Sequence, residues 1–174
     1  MSIFFTADNH FFHKNMINYE DRPFKSNEEM TEVMIEKWNN KVGKYDSIYI
    51  LGDFAFGKSY EVKTLLDKLN GHKFLIKGNH DYYIKDKLIE KEFIWVKDYY
   101  MLKHNNMKFI LFHYPIYVWD CKHHGSIHLY GHVHSNKDNY HPLLIELGKA
   151  YNVGVDVNNY EPVSLEEVLD KFNN

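Results

Sequence analysis

The sequence predicts an α/β fold in which two β-sheets pack together and helices lie on the outside. In the first half, short apolar strands alternate with amphipathic helices, a pattern typical of parallel strands joined by right-handed crossovers. The second half is richer in short strands and contains a hairpin, which predicts a second sheet. The chain of 174 residues shows no internal repeat and no Pro/Ser-rich linker, so we expect one domain over residues 1–174.

The first half predicts three strands and two helices. Continuous apolar runs predict buried strands at residues 2–7, 47–51 and 73–76. The first helix begins at the capping box Ser26-x-x-Glu29, where the serine and the glutamate can each bond a backbone N–H. The second helix carries apolar residues at helical spacing between positions 62 and 69. Gly43 and Gly71 lie where these two helices should end.

The second half predicts five strands and a final helix. Strands at residues 99–102 and 108–112 flank His104-Asn105-Asn106, which indicates a hairpin. Further short strands are predicted at residues 127–130, 143–147 and 151–157. The capping box Ser164-x-x-Glu167 predicts the start of the C-terminal helix.

The composition excludes several classes of protein. With 21 Lys+Arg against 24 Asp+Glu, the formal charge is -3, so we expect no strong non-specific binding to nucleic acid. No apolar segment approaches the ~20 residues that span a bilayer, and we expect no membrane partner. The first ten residues lack the basic start of a secretion signal. The single cysteine, Cys121, forbids an intrachain disulfide, so a cytoplasmic location is expected. The sequence leaves the oligomeric state open.

Side chains of metal-ligand type directly follow five of the predicted strands. In chain order they are Asp8-x-His10, Gly52-Asp53, Gly78-Asn79-His80-Asp81, His113 and Gly131-His132-Val133-His134. Each piece alone is common in turns or on solvated surfaces. Ligands gather at the carboxyl ends of strands, where loops leave a rigid scaffold. All five pieces at such ends therefore predict one functional site.

This series of motifs resembles the calcineurin-like metallophosphoesterase superfamily over residues 8–134. Gly-Asn-His-Asp and Gly-His-Val-His are its most specific parts, and the stretches at residues 21–24, 51–55 and 130–134 resemble the small single-domain bacterial and phage members. The resemblance implies a four-layer α-β-β-α sandwich, in which two mixed β-sheets pack together and are flanked by helices. It also implies a site for two metal ions.

The resemblance assigns a role to each motif residue. The implied ligands are Asp8, His10 and His134 for one ion, and Asn79, His113 and His132 for the other. Asp53 would bridge the two ions, and His80 would be the catalytic histidine. Arg22 lies in the long loop after the first motif, where we expect it to bind a substrate phosphate; His13, in the same loop, is a weaker candidate.

The chemistry of this ligand set is compatible with phosphate ester hydrolysis. Two carboxylates, one amide and four imidazoles suit manganese above all, with iron, zinc or nickel as alternatives. Two divalent ions against two carboxylates leave a net charge of about +2 for a phosphoryl group. Such ions clamp the phosphate oxygens and generate a bridging hydroxide, which would attack phosphorus in line. A protonated His80 would donate to the leaving oxygen.

One departure from the family pattern limits the role of His80. Many relatives carry a further Asp after the second motif that orients the catalytic histidine, and Phe56 stands at that position here. His80 would then either donate a proton or only stabilise charge. The missing Asp-Arg continuation also argues against a Ser/Thr protein phosphatase. The resemblance to the small members and the Gly-Asn-His-Asp form favour a phosphodiester over a monoester. We expect a small phosphorylated substrate, and nucleotides or cyclic nucleotides are compatible with it.

Three alternatives remain open at this point. Gly52–Ser59 matches the P-loop pattern G-x-x-x-x-G-K-S, although Phe54 and Phe56 are bulky and Asp53 is negative where backbone should wrap a phosphate. A metallo-β-lactamase-like hydrolase would share His-x-His but should have Asp-His shortly afterwards. A catalytically silent metal-binding scaffold of the same fold would keep every ligand.

Overall fold

A computed structural model describes residues 1–136 and 142–173 of the chain. Within these residues nine strands form two sheets. The strands are β1 (Ile3–Thr6), β2 (Ser47–Leu51), β3 (His72–Ile76), β4 (Trp95–Lys97), β5 (Tyr99–His104), β6 (Met107–Phe112), β7 (Ile127–Tyr130), β8 (Ala150–Asn152) and β9 (Val163–Ser164).

Both sheets are mixed. The first has the order β4-β3-β2-β1-β9, in which β9 alone runs antiparallel to its neighbour. The second has the order β5-β6-β7-β8, with an antiparallel β5–β6 hairpin and parallel pairing of β6, β7 and β8. The predicted parallel first half and the predicted hairpin are both confirmed.

The α-helices of the described residues are α1 (Met16–Tyr19), α2 (Asn27–Lys41), α3 (Ser59–Lys68), α4 (Lys87–Glu90) and α5 (Leu165–Asp170). The two serine caps are present, because Ser26 Oγ accepts from the Glu29 amide and Ser164 Oγ from the Glu167 amide, each at 3.1 Å. Within the described residues, no helix combines the length and the apolar character that crossing a membrane requires.

Alternate residues of the first sheet face two different apolar cores. Phe4 and Ile48 pack in a core with Trp38 of α2 and Val62 of α3. Their chain neighbours, among them Phe5, face the opposite way and pack against residues of the second sheet. Each large side chain buried in this way contributes about 1.5–3 kcal/mol. The two sheets therefore pack face to face with helices outside, and the predicted fold class is confirmed.

Two predicted strands are wrong in whole or in part. Residues 143–147 lie in a 3₁₀ helix, Pro142–Leu147, because a short apolar run does not by itself distinguish a strand from a helical turn. The strand predicted at residues 151–157 ends at Asn152 and is followed by a 3₁₀ turn, Val155–Val157. Asn152 Oδ1 accepts from the Gly154 amide at 2.8 Å, and such local side-chain bonds compete with strand pairing. The short strands β4 and β9 were not predicted.

The loops that carry the motifs meet at one edge of the two sheets. The loop after β1 joins the loop after β2, because the amides of Asp8 and His10 donate to the carbonyls of Gly52 and Asp53, each at 3.0 Å. In the second sheet, the Gly131 amide donates to the His113 carbonyl at 2.9 Å and so ties the loop after β7 to the end of β6. These backbone bonds fix the base of the site.

Candidate metal centre

The first half-site consists of Asp8, His10 and His134. One ligand atom from each lies within 4.8 Å of the other two. All three residues have a positive φ, at 55°, 51° and 46°, a conformation that non-glycine residues seldom adopt. Such backbone strain costs about 1–3 kcal/mol per residue and clusters at functional sites. The fold thus holds these three side chains together against their local preference.

The atoms of the first half-site fit a metal ion. Asp8 Oδ1 and both ring nitrogens of His10 are buried, and none has a hydrogen-bond partner among the residues that the structure describes. Burial raises the pKa of Asp8 to about 8 and lowers the pKa of His10. A buried polar atom left without a partner costs about 1–3 kcal/mol. A divalent cation would accept lone pairs from Asp8 Oδ1 and from one ring nitrogen of His10. It would also favour the charged carboxylate and the neutral imidazole, so these residues fit a metal ion.

The second half-site consists of Asp53, His113 and His132, which again place ligand atoms within 4.8 Å of one another. His113 Nδ1 lies 2.7 Å from the Leu51 carbonyl, to which it donates. This bond leaves the Nε2 lone pair free to bind a metal. Nε2 lies 3.0 Å from Asn79 Oδ1. Two acceptor atoms that face each other in this way suit a cation, and Asn79 could serve as a further ligand.

Asp53 connects the two half-sites. Its Oδ1 accepts from the His80 amide at 2.8 Å. Its Oδ2 lies 3.8 Å from His10 Nε2 of the first half-site and 3.6 Å from His113 Nε2 of the second. Burial raises the pKa of Asp53, as it does for Asp8. A single carboxylate oxygen therefore lies between the two ligand groups, where the sequence predicted a bridge.

Arg22 has a different position from the one that the sequence predicted. Its side chain has 0% exposure, so it does not reach the site opening, and the expected contact with a substrate phosphate is corrected. Its Nε and Nη2 donate to the two oxygens of Asp156, at 2.8 and 3.0 Å. Its Nη2 and Nη1 also donate to the carbonyls of Asp8 and Asn9, at 2.8 and 2.9 Å. Arg22 thus lies behind the first half-site.

Asp156 is a residue of the site that the sequence did not reveal. Its Oδ2 accepts from His134 Nδ1 at 2.8 Å, which leaves His134 Nε2 for a metal. Burial acts to raise the pKa of Asp156, but the bonds from His134 and Arg22 outweigh it and the pKa is lowered. The same contact raises the pKa of His134, although burial opposes it. Asp156 lies within the run that the sequence presented as a strand at residues 151–157, and no motif marked it as a site residue.

Asp81 has the corresponding position behind the second half-site. It is buried and accepts four hydrogen bonds, from the amides of Asp53, Phe54 and Gly78 and from the Tyr83 hydroxyl, at 2.7–2.9 Å. It thereby holds the Asp53 loop against the Gly-Asn-His-Asp loop. The P-loop alternative is excluded by the same bonds, because two amides that would cradle a phosphate are already directed at a carboxylate.

The His80 ring lies beside the first half-site, and the His80 amide is bonded to Asp53 of the second. Its ring centroid is 6.0 Å from that of His10 and 4.8 Å from that of Phe56. Within residues 1–136 and 142–173, no carboxylate is hydrogen-bonded to the His80 ring. Phe56 therefore contacts the imidazole at the sequence position where many relatives have the orienting Asp. The catalytic role of His80 stays a prediction.

A family model for calcineurin-like phosphoesterases matches residues 1–94, which is more than half of the 174-residue chain. This chain belongs to the calcineurin-like phosphoesterase family. An uncharacterized protein of Methanocaldococcus jannaschii is 37% identical over 169 residues, which cover 96% of this chain and 89% of the relative. The Gene 66 protein of Mycobacterium phage D29 is 30% identical over 77% of this chain and 79% of its own length.

A solved structure extends this relationship to the fold. The crystal structure of a protein of unknown function from Aquifex aeolicus superposes with a TM-score of 0.77 at 28% identity, covering 98% of each chain. The family depends on a dinuclear metal site, and the two ligand groups described above supply the side chains for one. Family and site together support a metal-dependent phosphoesterase that acts on small phosphorylated substrates.

Proposed function

We propose that this phosphoesterase is a phosphodiesterase that works with two divalent metal ions, one in each half-site. The observation that carries the proposal is the position of Asp53 Oδ2, between His10 of one half-site and His113 of the other, at 3.8 and 3.6 Å. A carboxylate shared in this way suits two adjacent ions. Two separate mononuclear sites would not require it.

The donor set favours manganese. It offers two carboxylates (Asp8 and Asp53), the Asn79 amide and four imidazoles, a mixture of oxygen and nitrogen that also suits iron, zinc or nickel. When bound, the ions would supply a nucleophile derived from water at neutral pH and would neutralise charge on the phosphate. The chain itself supplies the fixed positions of the ligands and the shape of the opening around them.

We assign His80 to the leaving group. Its backbone amide is fixed by Asp53 Oδ1, while its ring is directed toward Phe56 and His10. A protonated imidazole at this position would donate to the departing oxygen or stabilise its charge. Because Phe56 supplies no hydrogen bond to the ring, the described residues orient the imidazole by packing, and its contribution should lie at the low end for a general acid.

A diester is favoured over a monoester by the groups around the ligands. Within residues 1–136 and 142–173, the rings that contact the ligand histidines from outside the ligand set are those of His13, Phe56, His80 and Tyr114, none of which has a permanent charge. Arg22, the cation that the sequence predicted to bind substrate, is buried in an ion pair with Asp156. A singly charged diester needs fewer cations than a doubly charged monoester, so the surroundings suit the diester.

The same surroundings favour an ester that carries a planar ring. Phe56 is 38% exposed and Tyr82 is 65% exposed, and both rings lie beside His80, at 4.8 and 6.4 Å between centroids. Aromatic rings prefer offset or edge-to-face contacts at such distances. Nucleotides and cyclic nucleotides meet this requirement.

A reducing compartment such as the cytoplasm is consistent with the free thiol of Cys121.

The proposal is tested with two chromogenic esters. Chelated protein should be inactive, and Mn²⁺ should restore hydrolysis of bis(4-nitrophenyl) phosphate with a higher kcat/KM than that of 4-nitrophenyl phosphate. A higher kcat/KM for the monoester would overturn the diester preference. Full activity of exhaustively chelated, metal-free protein would overturn the metal mechanism. Metal binding without turnover of either ester or of a panel of nucleotides would favour the silent scaffold.

A further inference from the structure

We infer that Arg22 and Asp156 form a clamp that positions the ligands of the first half-site but not those of the second. The inference rests on the proposed two-metal function. The clamp is a buried ion pair between residues 134 positions apart in the chain, with side-chain exposures of 0% and 2%. Both residues are positioning residues, because their side chains are buried and act through the ligand segments that they bond.

The contacts of the clamp reach the first half-site at each of its ligand segments. Arg22 Nη2 holds the carbonyl of Asp8, and Nη1 holds the carbonyl of Asn9, next to His10. Asp156 Oδ2 accepts from His134 Nδ1. The guanidinium thus fixes one ligand segment directly and the third ligand through a carboxylate. The positive φ values of Asp8, His10 and His134 show why outside support is needed there.

The clamp does not extend to the second half-site. Within the described residues, the side-chain hydrogen bonds and the ring contact that Arg22 and Asp156 make outside their own pair go to the Asp8–Asn9 backbone, His134, Met30 and the Tyr160 ring. The second half-site is held instead by Asp81 and by the Leu51 carbonyl. Loss of the clamp should therefore affect one metal ion and spare the other, which general destabilisation of the fold would not do.

An alternative is that Asp156 itself binds a metal, since Glu20, His134 and Asp156 also place ligand atoms within 4.8 Å of one another. The guanidinium argues against it. Both Asp156 oxygens are hydrogen-bonded to Arg22, at 2.8 and 3.0 Å, and a second cation at the same oxygens would be repelled. Glu20 Oε2 in turn accepts from the Ser135 hydroxyl at 2.7 Å. We therefore place Asp156 behind the ligand His134.

The test is a Mn²⁺ titration of chelated protein that resolves two binding constants, with the bound metal counted separately. The variant Asp156→Asn keeps the shape of the side chain and removes its charge. Partners behind a ligand histidine typically change metal affinity about 10–100-fold. We expect one of the two binding constants to weaken by that factor and the other to stay unchanged. The variant Arg22→Lys, which keeps the charge but loses the two-pronged geometry, should give the same pattern.

The control is Glu167→Gln, which removes an ion pair with Lys41 at the surface, and both constants should stay unchanged there. Equal weakening of both constants, or no weakening, overturns the clamp. So does the finding that both clamp variants are unfolded in metal-free buffer, because the pair would then act in folding. Failure of the parent protein to bind two ions would instead overturn the proposed two-metal function, so the two failures are distinguishable.

Discussion

The two half-sites present similar ligands but are supported in different ways. The first is held by a buried cation, Arg22, which collects two backbone carbonyls and the carboxylate of Asp156. The second is held by a buried anion, Asp81, which collects three backbone amides and a hydroxyl. One support joins loops that are far apart in the chain, and the other joins the successive loops after β2 and β3. The first should therefore depend more on a single side-chain pair.

Loss of the shared carboxylate of Asp53 should have the largest effect, because both half-sites use it. The change Asp53→Asn removes the charge between the half-sites, so we expect both ions to be weakened and turnover to fall by several orders of magnitude. Lys58→Ala is the matched control, since Lys58 is an exposed residue at the start of α3 and should be dispensable. Steady-state kinetics on the diester measure both. Loss of activity in Lys58→Ala with an active Asp53→Asn would contradict the account.

Replacement of His80 tests whether one histidine serves the leaving group while both metal ions stay bound. Replacing His80 by Ala should leave both ions bound, because its side chain is not among the ligand groups. General acids contribute about 10²–10⁴ in rate, and we expect the low end for an alkyl diester and a smaller loss for a nitrophenyl diester. Equal losses on both esters would indicate charge stabilisation at phosphorus. A missing metal ion would show that the ligands are assigned wrongly.

Two glycines leave room for the ligand carboxylates, one for Asp8 and the other for Asp53. A Cβ at Gly131 would lie 2.5 Å from Asp8 Oδ2, and a Cβ at Gly78 would lie 2.2 Å from Asp53 Oδ1. Neither distance is possible without movement of the carboxylate. We expect Gly131→Ala to weaken the ion of the first half-site about a hundredfold and that of the second half-site less, and Gly78→Ala to weaken both, as measured by Mn²⁺ titration.

The control for the glycine pair is Gly125→Asn. A Cβ there meets nothing within 4 Å, and Asn tolerates the φ of +87° better than most residues. Both binding constants should match those of the parent protein. If Gly131→Ala weakened both ions to the same degree, the two half-sites would not be separable in the way described.

The smallest effect concerns the support of the segment after His113. His128 Nε2 accepts from the Ile116 amide at 3.3 Å, and burial lowers the pKa of His128 to about 4. The unfolded chain, with a histidine pKa of about 6.5, binds more protons between these values, so the free energy of unfolding falls as the pH falls through that window. The metal-free protein should lose about 1 kcal/mol through this residue between pH 6.5 and 5.5.

Urea unfolding of the metal-free parent and of His128→Gln measures this contribution. Groups common to both proteins cancel in the comparison, so the difference in slope with pH belongs to His128. A parent and variant with the same slope would show that His128 is not held neutral in the folded protein.

The place of the candidate site could be predicted from the sequence because its motifs follow apolar strands, while the role of each ligand was implied by the family resemblance. Asp8 and Asp53 come within two residues of the ends of the parallel strands β1 and β2 of the first sheet, and His113 directly follows β6 of the second sheet. The fold class followed from the same strands. Local information sufficed there because position along a strand determines position in space.

The buried residues that hold the ligands in place, Arg22, Asp156 and Asp81, could not be predicted in this way. Arg22 and Asp156 are 134 residues apart, and Asp156 lies in a 3₁₀ turn that the sequence presented as part of a strand. An arginine near a phosphate site is expected to bind phosphate, and only its burial shows that it binds carbonyls and a carboxylate instead. Asp81 was visible as part of Gly-Asn-His-Asp, but its four partners depend on the packing of two loops.

The central claim is that the chain holds two ions, one in each half-site, with Asp53 between them. Crystals grown with Mn²⁺ and measured for anomalous scattering test it directly. We expect two anomalous peaks about 3.5–4 Å apart. One should lie beside Asp8, His10 and His134, and the other beside His113, His132 and Asn79. A single peak, or a second peak that uses Asp156 as a ligand in place of Asp53, would contradict it.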